Sequence, residues 1–205
     1  MTNRVVLSLS AWKGSGKDTV ADYLVAEYGF NRISFAAKLK DLVASTYNVP
    51  REFMDLPTHK EQPLLNLPAI PSDGFSEAIH TMLKAELSSG YWTPRALCIL
   101  EGSIKRSVYS NFWVKEAINE IGDNPDKNYV ITDMRYSTEA DIINMFYPEN
   151  KIIRISRFDS IATTDPSERD MDDHYYDYLL SNREGKEELY ANTDRILNIL
   201  LAPWY

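Results

Sequence analysis

The chain has 205 residues, of which 44% are hydrophobic and 25% are charged, fractions that are typical of a globular protein and exclude a dominantly disordered or fibrous one. Its formal net charge of −8 argues against a surface for duplex nucleic acid, since such affinity rests on many Lys and Arg contacts to phosphate. The single cysteine, Cys98, excludes an internal disulfide and the common multi-cysteine zinc patterns. No apolar run reaches the roughly 20 residues of a membrane span, so we expect a cytoplasmic protein without a membrane partner.

Strands and helices are predicted to alternate from the N-terminus onward. Residues 4–10 form a β-branched and leucine-rich run that predicts a strand, and residues 18–28 have helical spacing after a glycine-rich turn. Residues 32–35 predict a second strand and residues 36–47 a second helix. Residues 50–74 carry five of the chain's ten prolines, which predicts a long irregular segment. Segments of that length inside a compact domain are usually functional.

The second half of the chain continues the alternation. Helices are predicted for residues 75–87, 94–108, 112–121, 139–145 and 186–201, and strands for residues 129–132, 151–156 and 175–180. Thr93 is the expected N-cap of the helix that begins at Pro94. Because ten or more residues separate the strands, we expect an α/β fold in which helices cover both faces of a parallel sheet. Ligands of such sheets bind beyond the carboxyl ends of the strands.

A candidate phosphate-binding loop lies between the first predicted strand and helix. Residues 11–19 read Ala-Trp-Lys-Gly-Ser-Gly-Lys-Asp-Thr. Glycines let successive backbone N–H groups face a polyphosphate beside a helix N-terminus, and a lysine adds positive charge. Ala11 replaces the first consensus glycine and Asp18 the magnesium-binding hydroxyl, so Asp18 or Thr19 could contact Mg²⁺, and the residues leave this open. The expected ligands of ATP or dATP are Lys13, Gly14, Ser15, Gly16, Lys17, Asp18 and Thr19.

A second candidate position follows the strand predicted at residues 129–132. Asp133 ends this strand, and in phosphate-loop enzymes an aspartate at such a place helps to hold Mg²⁺. Arg135 would then lie near the transferring phosphoryl group and stabilise its charge. We therefore predict Lys17, Asp133 and Arg135 as catalytic, with Asp18 and Asp133 as the metal ligands.

An acceptor that carries its own phosphate requires a second anion site. Arg95, at the start of the helix capped by Thr93, combines a guanidinium with a helix N-terminus and is the leading candidate. Weaker candidates are Lys60, Arg106, Arg157 and Arg169. The three histidines show no metal-ligand spacing, so we expect surface or packing roles for His59, His80 and His174.

Five segments together resemble the deoxynucleoside monophosphate kinases of tailed bacteriophages, a branch of the phosphate-loop nucleotide kinases. They are Gly-Ser-Gly-Lys-Asp-Thr at 14–19, Ser-Phe-Ala-Ala-Lys-Leu-Lys-Asp at 34–41, Thr-Pro-Arg-Ala-Leu at 93–97 leading to Phe-Trp-Val-Lys at 112–115, Ile-Thr-Asp-Met-Arg at 131–135, and Ser-Glu at 167–168 ahead of Asp177 and Asn182. Their order and spacing cover most of the chain.

The resemblance implies a single kinase domain over residues 1–205, with an acceptor-binding helical region at about 36–115 and a lid at about 157–174. It implies transfer of the ATP γ-phosphate to a deoxynucleoside monophosphate, with Mg²⁺, in the host cytoplasm if the protein is phage-encoded. Arg157 joins the donor site, and the implied acceptor site contains Phe35, Lys38, Lys60, Arg95, Arg106 and Trp113. A monomer and a homodimer are both compatible with it. One departure is Asp165, where such kinases tend to have a histidine.

Two other functions compete with this interpretation. A related phage kinase acts on hydroxymethyluracil within DNA, and it would share the loop and the Asp-x-Arg strand end. A nucleotide-binding regulator without catalysis is the other, and the intact Lys17, Asp133 and Arg135 argue against it. Small-molecule kinases such as those for dephospho-coenzyme A remain a further alternative.

Overall fold

The computed structural model describes residues 4–70, 74–157 and 169–202, and the chain divides into two compact units. The sheet unit comprises Met1–Ser34 and Val114–Tyr205, and the helical unit comprises Phe35–Trp113. The predicted acceptor region at 36–115 falls on nearly the same residues as the helical unit. The single-domain organisation and the acceptor role stay predictions.

The sheet unit contains five strands that all run parallel, in the order β2-β3-β1-β4-β5. The strands are β1 (Val6–Ala11), β2 (Asn31–Ile33), β3 (Tyr129–Ile131), β4 (Lys151–Arg157) and β5 (Tyr178–Asn182). The central strand β1 is buried along most of its length, as expected for a parallel sheet covered on both faces. The predicted α/β fold is confirmed.

Helices cover the two faces of this sheet. Helices α1 (Lys17–Tyr28) and α9 (Lys186–Leu200) supply Val20, Leu24, Leu189 and Leu197 to a core that also contains Leu7 and Leu9 of β1, Val130 of β3 and Ile153 of β4. Tyr129, next to Val130, faces the opposite side, where its hydroxyl donates to the carbonyl of Glu120 at 3.3 Å. Glu120 lies in α7 (Phe112–Asp123), and α8 (Ser137–Phe146) is tied to α7 because the Tyr147 hydroxyl donates to the Ile118 carbonyl at 2.7 Å.

The helical unit has a hydrophobic core of its own. It contains α2 (Phe35–Tyr47), α3 (Arg51–Asp55), a 3-10 turn (Pro57–His59), α4 (Glu77–Met82), α5 (Lys84–Ser89) and α6 (Pro94–Val108). Its buried core includes Val43, Met54, Leu83, Trp92 and Leu97. The segment around residues 64–70 is anchored to this core, since the Leu64 N–H donates to the Trp92 carbonyl at 2.8 Å.

Two of the predicted elements need correction. The prolines of residues 50–74 begin short helical turns instead of excluding them: Pro50 precedes α3 and Pro57 opens the 3-10 turn, because a proline at a helix start loses no hydrogen bond. The helix predicted over residues 75–87 is two helices that meet at the fully buried Leu83. Helix α6 begins at Pro94 as predicted, with the Thr93 hydroxyl accepting from the Ala96 N–H at 3.1 Å.

Candidate active site

The loop between β1 and α1 has the backbone that its glycines allow. Gly14 has φ +81° and Gly16 has φ +104°, a left-handed conformation in which a side chain would be strained. The Ser15 N–H donates to the Trp12 carbonyl at 3.2 Å and closes the turn. The Gly16 carbonyl accepts from the Val20 N–H at 3.0 Å and starts α1. Lys17 is therefore the first helical residue, beside the positive end of the helix dipole.

Ser15 carries an orphaned donor inside this loop. The residue is 1% exposed, and its hydroxyl has no hydrogen-bond partner among the described residues. A buried hydroxyl without a hydrogen-bond partner costs free energy. Binding of a ligand that supplies such a partner is therefore favoured. The oxygens of a donor phosphate would fit this requirement.

Two side chains from neighbouring strand ends contact the carbonyl side of the loop. The Asn182 amide donates from Nδ2 to the Ser15 carbonyl at 2.9 Å, and Arg157 Nη1 lies 3.5 Å from the Gly14 carbonyl. Arg157 and Asn182 are register partners at the ends of β4 and β5. The carboxyl end of the sheet thus carries the loop, as expected for parallel strands.

A charged cluster fixes the start of the loop. Arg154 of β4 pairs with Asp172 and donates to the Ser10 hydroxyl at 2.8 Å, while the Trp12 indole N–H donates to the same Asp172 oxygen at 2.8 Å. The side chains of Arg154 and Asp172 are only 13% and 22% exposed. Arg169 Nε lies 3.7 Å from the other Asp172 oxygen. We call Ser10, Trp12, Arg154 and Asp172 the loop clasp.

The two predicted metal ligands differ in their surroundings. Asp133 lies two residues beyond the end of β3, and its Oδ2 accepts from the Ser34 hydroxyl at 2.9 Å. Asp18 is paired with Arg32, which also donates to Asp22 at 2.7 Å. No cluster of three or more acidic, histidine or cysteine side chains suited to a metal occurs within residues 4–70, 74–157 and 169–202. Mg²⁺ is usually held by one or two carboxylates plus substrate phosphates, so this donor set fits Mg²⁺.

Arg135 lies in the turn between β3 and α8. Arg135 is exposed, and its backbone N–H donates to Glu139 Oε2 at 3.0 Å. The Tyr136 N–H donates to the same oxygen at 3.1 Å. Glu139 thus fixes the turn that carries Arg135, next along the sheet edge from the phosphate loop.

Arg95, the predicted acceptor-phosphate ligand, lies in the first turn of α6 within the helical unit. Its Nη1 is 3.2 Å from Glu61 Oε1, and the two side chains are 62% and 61% exposed. The Arg95 N–H donates to the Lys60 carbonyl at 3.1 Å, which brings Lys60 beside the helix start. An exposed ion pair of this kind contributes little to stability, so a phosphate could displace Glu61.

The remaining predicted acceptor residues also belong to the helical unit. Arg106 is exposed in the last turn of α6, and Lys38 is half-buried in α2. Phe35 is 7% exposed, and Trp113 is 5% exposed with an indole N–H that has no partner in the part of the chain described. Of the predicted lid, residues 158–168, including Asp165 and the Ser-Glu pair, lie outside the described residues.

The comparisons with known proteins found a curated relative in sequence but no matching family model. A protein of Acanthamoeba polyphaga mimivirus, provisionally named a deoxynucleotide monophosphate kinase, is 28% identical over 192 residues, which cover 91% of this chain and 93% of the relative.

Two solved structures named as kinases span almost the whole chain. A dephospho-CoA kinase from Campylobacter jejuni has 15% identity and a TM-score of 0.49, over 95% of this chain and 96% of that one. A sugar kinase from Janibacter sp. has 12% identity and a TM-score of 0.46, over 97% and 96% of the two chains.

Sequence reasoning assigned no role to several residues that shape this site. Arg154 interrupts the buried strand β4, and a buried charge requires a partner, so its position was a usable signal for the loop clasp. Arg32, an exposed residue of β2, and Asp172, in a polar stretch, gave no such signal. Asn182 appeared only as one residue of the family resemblance.

Helices that could cross a membrane are absent from the ranges described.

Proposed function

We propose that the chain is a nucleotide kinase that transfers the γ-phosphoryl group of ATP or dATP to a deoxynucleoside monophosphate, giving the diphosphate. The observation that carries the proposal is the glycine loop between β1 and α1, at the carboxyl end of a parallel β2-β3-β1-β4-β5 sheet. The name of the mimivirus relative supports the choice of acceptor.

The sheet unit would bind the donor. Lys17 would neutralise charge on the transferring phosphoryl group, and the N-terminus of α1 would add its partial positive charge. The Ser15 hydroxyl would gain the partner that it lacks. Arg135, exposed beyond β3, would stabilise negative charge on the equatorial oxygens.

Mg²⁺, when bound, would withdraw negative charge from the donor phosphates. Asp133 would hold it, oriented by the hydroxyl of Ser34. Asp18 would share in this only by loosening its pair with Arg32, and Thr19 remains the alternative. The hydrogen bond from Ser34 to Asp133 and the ion pair between Asp18 and Arg32 support Asp133 as our first choice of ligand.

The helical unit would supply the acceptor site. Arg95 can form two parallel hydrogen bonds to a phosphate while the first turn of α6 contributes its N–H groups. Trp113 brings a buried indole donor without a partner in the described chain, a group suited to donate a hydrogen bond to an acceptor atom of a bound nucleotide.

A substrate panel tests the proposal. Wild-type protein with ATP, Mg²⁺ and each deoxynucleoside monophosphate should release ADP and form the matching diphosphate. Lys17→Ala should lower turnover by about 100-fold or more, because an electrostatic contribution of several kcal/mol is lost. Lys127→Ala, which changes an exposed lysine in a distant turn, is the control and should leave turnover unchanged.

Two results would contradict this function. Absence of diphosphate with every mononucleotide would leave the alternatives, among them a kinase for a modified base in DNA and a regulator without catalysis. Near-normal turnover in Lys17→Ala would show that the glycine loop is not the donor site.

A further inference from the structure

The backbone carbonyl groups of the phosphate loop need hydrogen-bond donors of their own. A loop that turns its N–H groups towards a phosphate must leave carbonyl oxygens on its other side, and buried carbonyls require donors. The Ser15 carbonyl has such a donor in Asn182, whose Nδ2 is 2.9 Å away. Both residues are buried, with Ser15 at 1% and Asn182 at 9% exposure.

The same amide also packs tightly against Gly16. A Cβ atom built on Gly16 would lie 2.7 Å from Asn182 Nδ2 and 3.1 Å from Leu189 Cδ2. Neither distance leaves room for a methyl group. Asn182 therefore constrains the loop twice, through a hydrogen bond at Ser15 and by filling the space that a side chain at Gly16, the residue that precedes Lys17, would need.

Asn182 lies on a strand that can hold its side chain rigidly against the loop. It is the last residue of β5 and pairs in register with Arg157 of β4, and Leu180, two residues earlier, is part of the sheet core. A side chain on a strand end positions its target more accurately than one on a loop. Arg157 adds a weaker, exposed contact to the Gly14 carbonyl at 3.5 Å.

We propose that Asn182 is a positioning residue for the phosphoryl donor: it holds the backbone of Ser15 and Gly16 in the conformation that receives the triphosphate. This inference rests on the proposed donor site but not on the identity of the acceptor. Loss of the Asn182 amide should therefore weaken the binding of any triphosphate while leaving acceptor binding unchanged.

The test compares two asparagines of the sheet unit that each donate to a backbone carbonyl. Asn192 Nδ2 donates to the Ser181 carbonyl at 3.2 Å, and Asn192 makes no hydrogen bond to the phosphate loop among the described residues, so Asn192→Ala is the matched control. Asn182→Ala removes the amide, and Asn182→Leu removes the donor but retains much of the side-chain volume. Calorimetry measures the dissociation constants of ATP and of inorganic tripolyphosphate, and thermal melting shows that each variant is folded.

The expected result is at least a tenfold rise in both dissociation constants for the Asn182 variants and less than a twofold change for Asn192→Ala. Saturation curves at high ATP should show an unchanged Michaelis constant for the deoxynucleoside monophosphate. Affinities within twofold of wild type in Asn182→Leu would overturn the proposal. Loss of the cooperative melt in both Asn182 variants would also overturn it, since the residue would then hold the fold rather than the loop.

Failure of the proposed function gives a different result. A wild-type protein that binds tripolyphosphate but phosphorylates no mononucleotide would refute the acceptor, and the Asn182 comparison would still be measurable. A wild-type protein that binds neither ATP nor tripolyphosphate would overturn the donor site and this inference together.

Discussion

At the scale of single residues, burial separates the ion pairs that a phosphate can displace from those that hold the structure. The Arg95–Glu61 side chains are more than 60% exposed, whereas the Arg154–Asp172 side chains are 13% and 22% exposed. Water screens the first pair, so its partners exchange easily. The second pair is shielded and tied to Trp12 and Ser10, so removal of one partner leaves a poorly solvated charge.

Arg95 and Glu61 give a prediction about the acceptor. Glu61→Gln removes the carboxylate that competes with an acceptor phosphate, and an exposed pair contributes about 0.2–1 kcal/mol, so the acceptor Michaelis constant should fall by up to about fivefold. Arg95→Lys retains the charge but loses the planar fork, so the same constant should rise. Both variants should leave the ATP curve unchanged.

Saturation curves with acceptor or ATP varied provide the measurement. Glu52→Gln, another exposed glutamate of the helical unit, is the control. A defect of Arg95→Lys confined to the ATP curve would place Arg95 at the donor instead. An unchanged acceptor constant in both variants would mean that Arg95 is a surface residue without a ligand.

The loop clasp gives a prediction about stability. Asp172→Asn can still accept from the Trp12 indole through its amide oxygen, but it removes the negative charge opposite Arg154. Because one buried partner is left without its counter-charge, we expect a loss of about 1–3 kcal/mol in the free energy of unfolding. Asp126→Asn, at an exposed turn, should change it by less than about 0.5 kcal/mol.

Urea denaturation measures the free energy of unfolding of each variant. The single variant Arg154→Gln and the double variant Arg154→Gln with Asp172→Asn complete a double-mutant cycle. If the clasp acts through charge, the double variant should lose less than the sum of the two single variants. Strict additivity would show that the two side chains do not depend on each other.

At the scale of elements, the turn between β5 and α9 is held by one carboxylate. Glu188, in the first turn of α9, accepts from the N–H groups of Arg183 and Glu184, each at 2.8 Å. These two backbone hydrogen bonds, first that of Glu184 and then that of Arg183, hold the pKa of Glu188 below its ordinary value of 4.5. The carboxylate is therefore more favourable in the folded chain than in the unfolded one.

A pH dependence follows from that depressed pKa. The stabilisation from Glu188 is fully present above its unfolded pKa and is lost as the pH falls through the lower folded value. Wild type should thus melt at a higher temperature than Glu188→Gln at pH 6 to 7, and the difference should shrink towards pH 3. Glu187→Gln, its exposed neighbour, is the control for the removed charge. An equal, pH-dependent loss in Glu187→Gln would assign the effect to net charge.

The phosphate loop and the start of α6 could be predicted from local sequence, whereas contacts between distant residues could not. The phosphate loop depends on glycines and a lysine within six residues, so its place between β1 and α1 could be predicted from spacing alone. The same holds for Thr93, whose capping role needs only the three residues that follow it. The contact between Asn182 and Ser15 joins residues 167 positions apart, and no periodicity reports such a pair. The break at Leu83 likewise depends on tertiary packing, which overrides local helical preference.

At the scale of the whole molecule, charge separates the proposed function from its polymer-acting alternative. The chain has 30 acidic residues against 22 basic ones, and a protein that binds duplex DNA must neutralise many phosphates with Lys and Arg. A mononucleotide kinase needs positive charge only around one donor and one acceptor phosphate group. The loop lysine, Arg95 and Arg135 would be enough for the proposed kinase, and we expect the net negative charge of the chain to disfavour a nucleic-acid polymer.

We therefore predict that duplex DNA, with or without hydroxymethyluracil, is neither bound nor phosphorylated at about 150 mM salt. In a competition assay, duplex added in excess over a deoxynucleoside monophosphate should leave the rate of diphosphate formation unchanged, because DNA affinity at this salt requires several Lys or Arg contacts to phosphate. A short single strand of the same sequence serves as the control for chain ends. Transfer of labelled γ-phosphate to the hydroxymethylated duplex, together with an affinity that falls steeply as salt is raised, would show that a local basic surface binds the polymer and would favour the DNA-modifying kinase over the mononucleotide kinase.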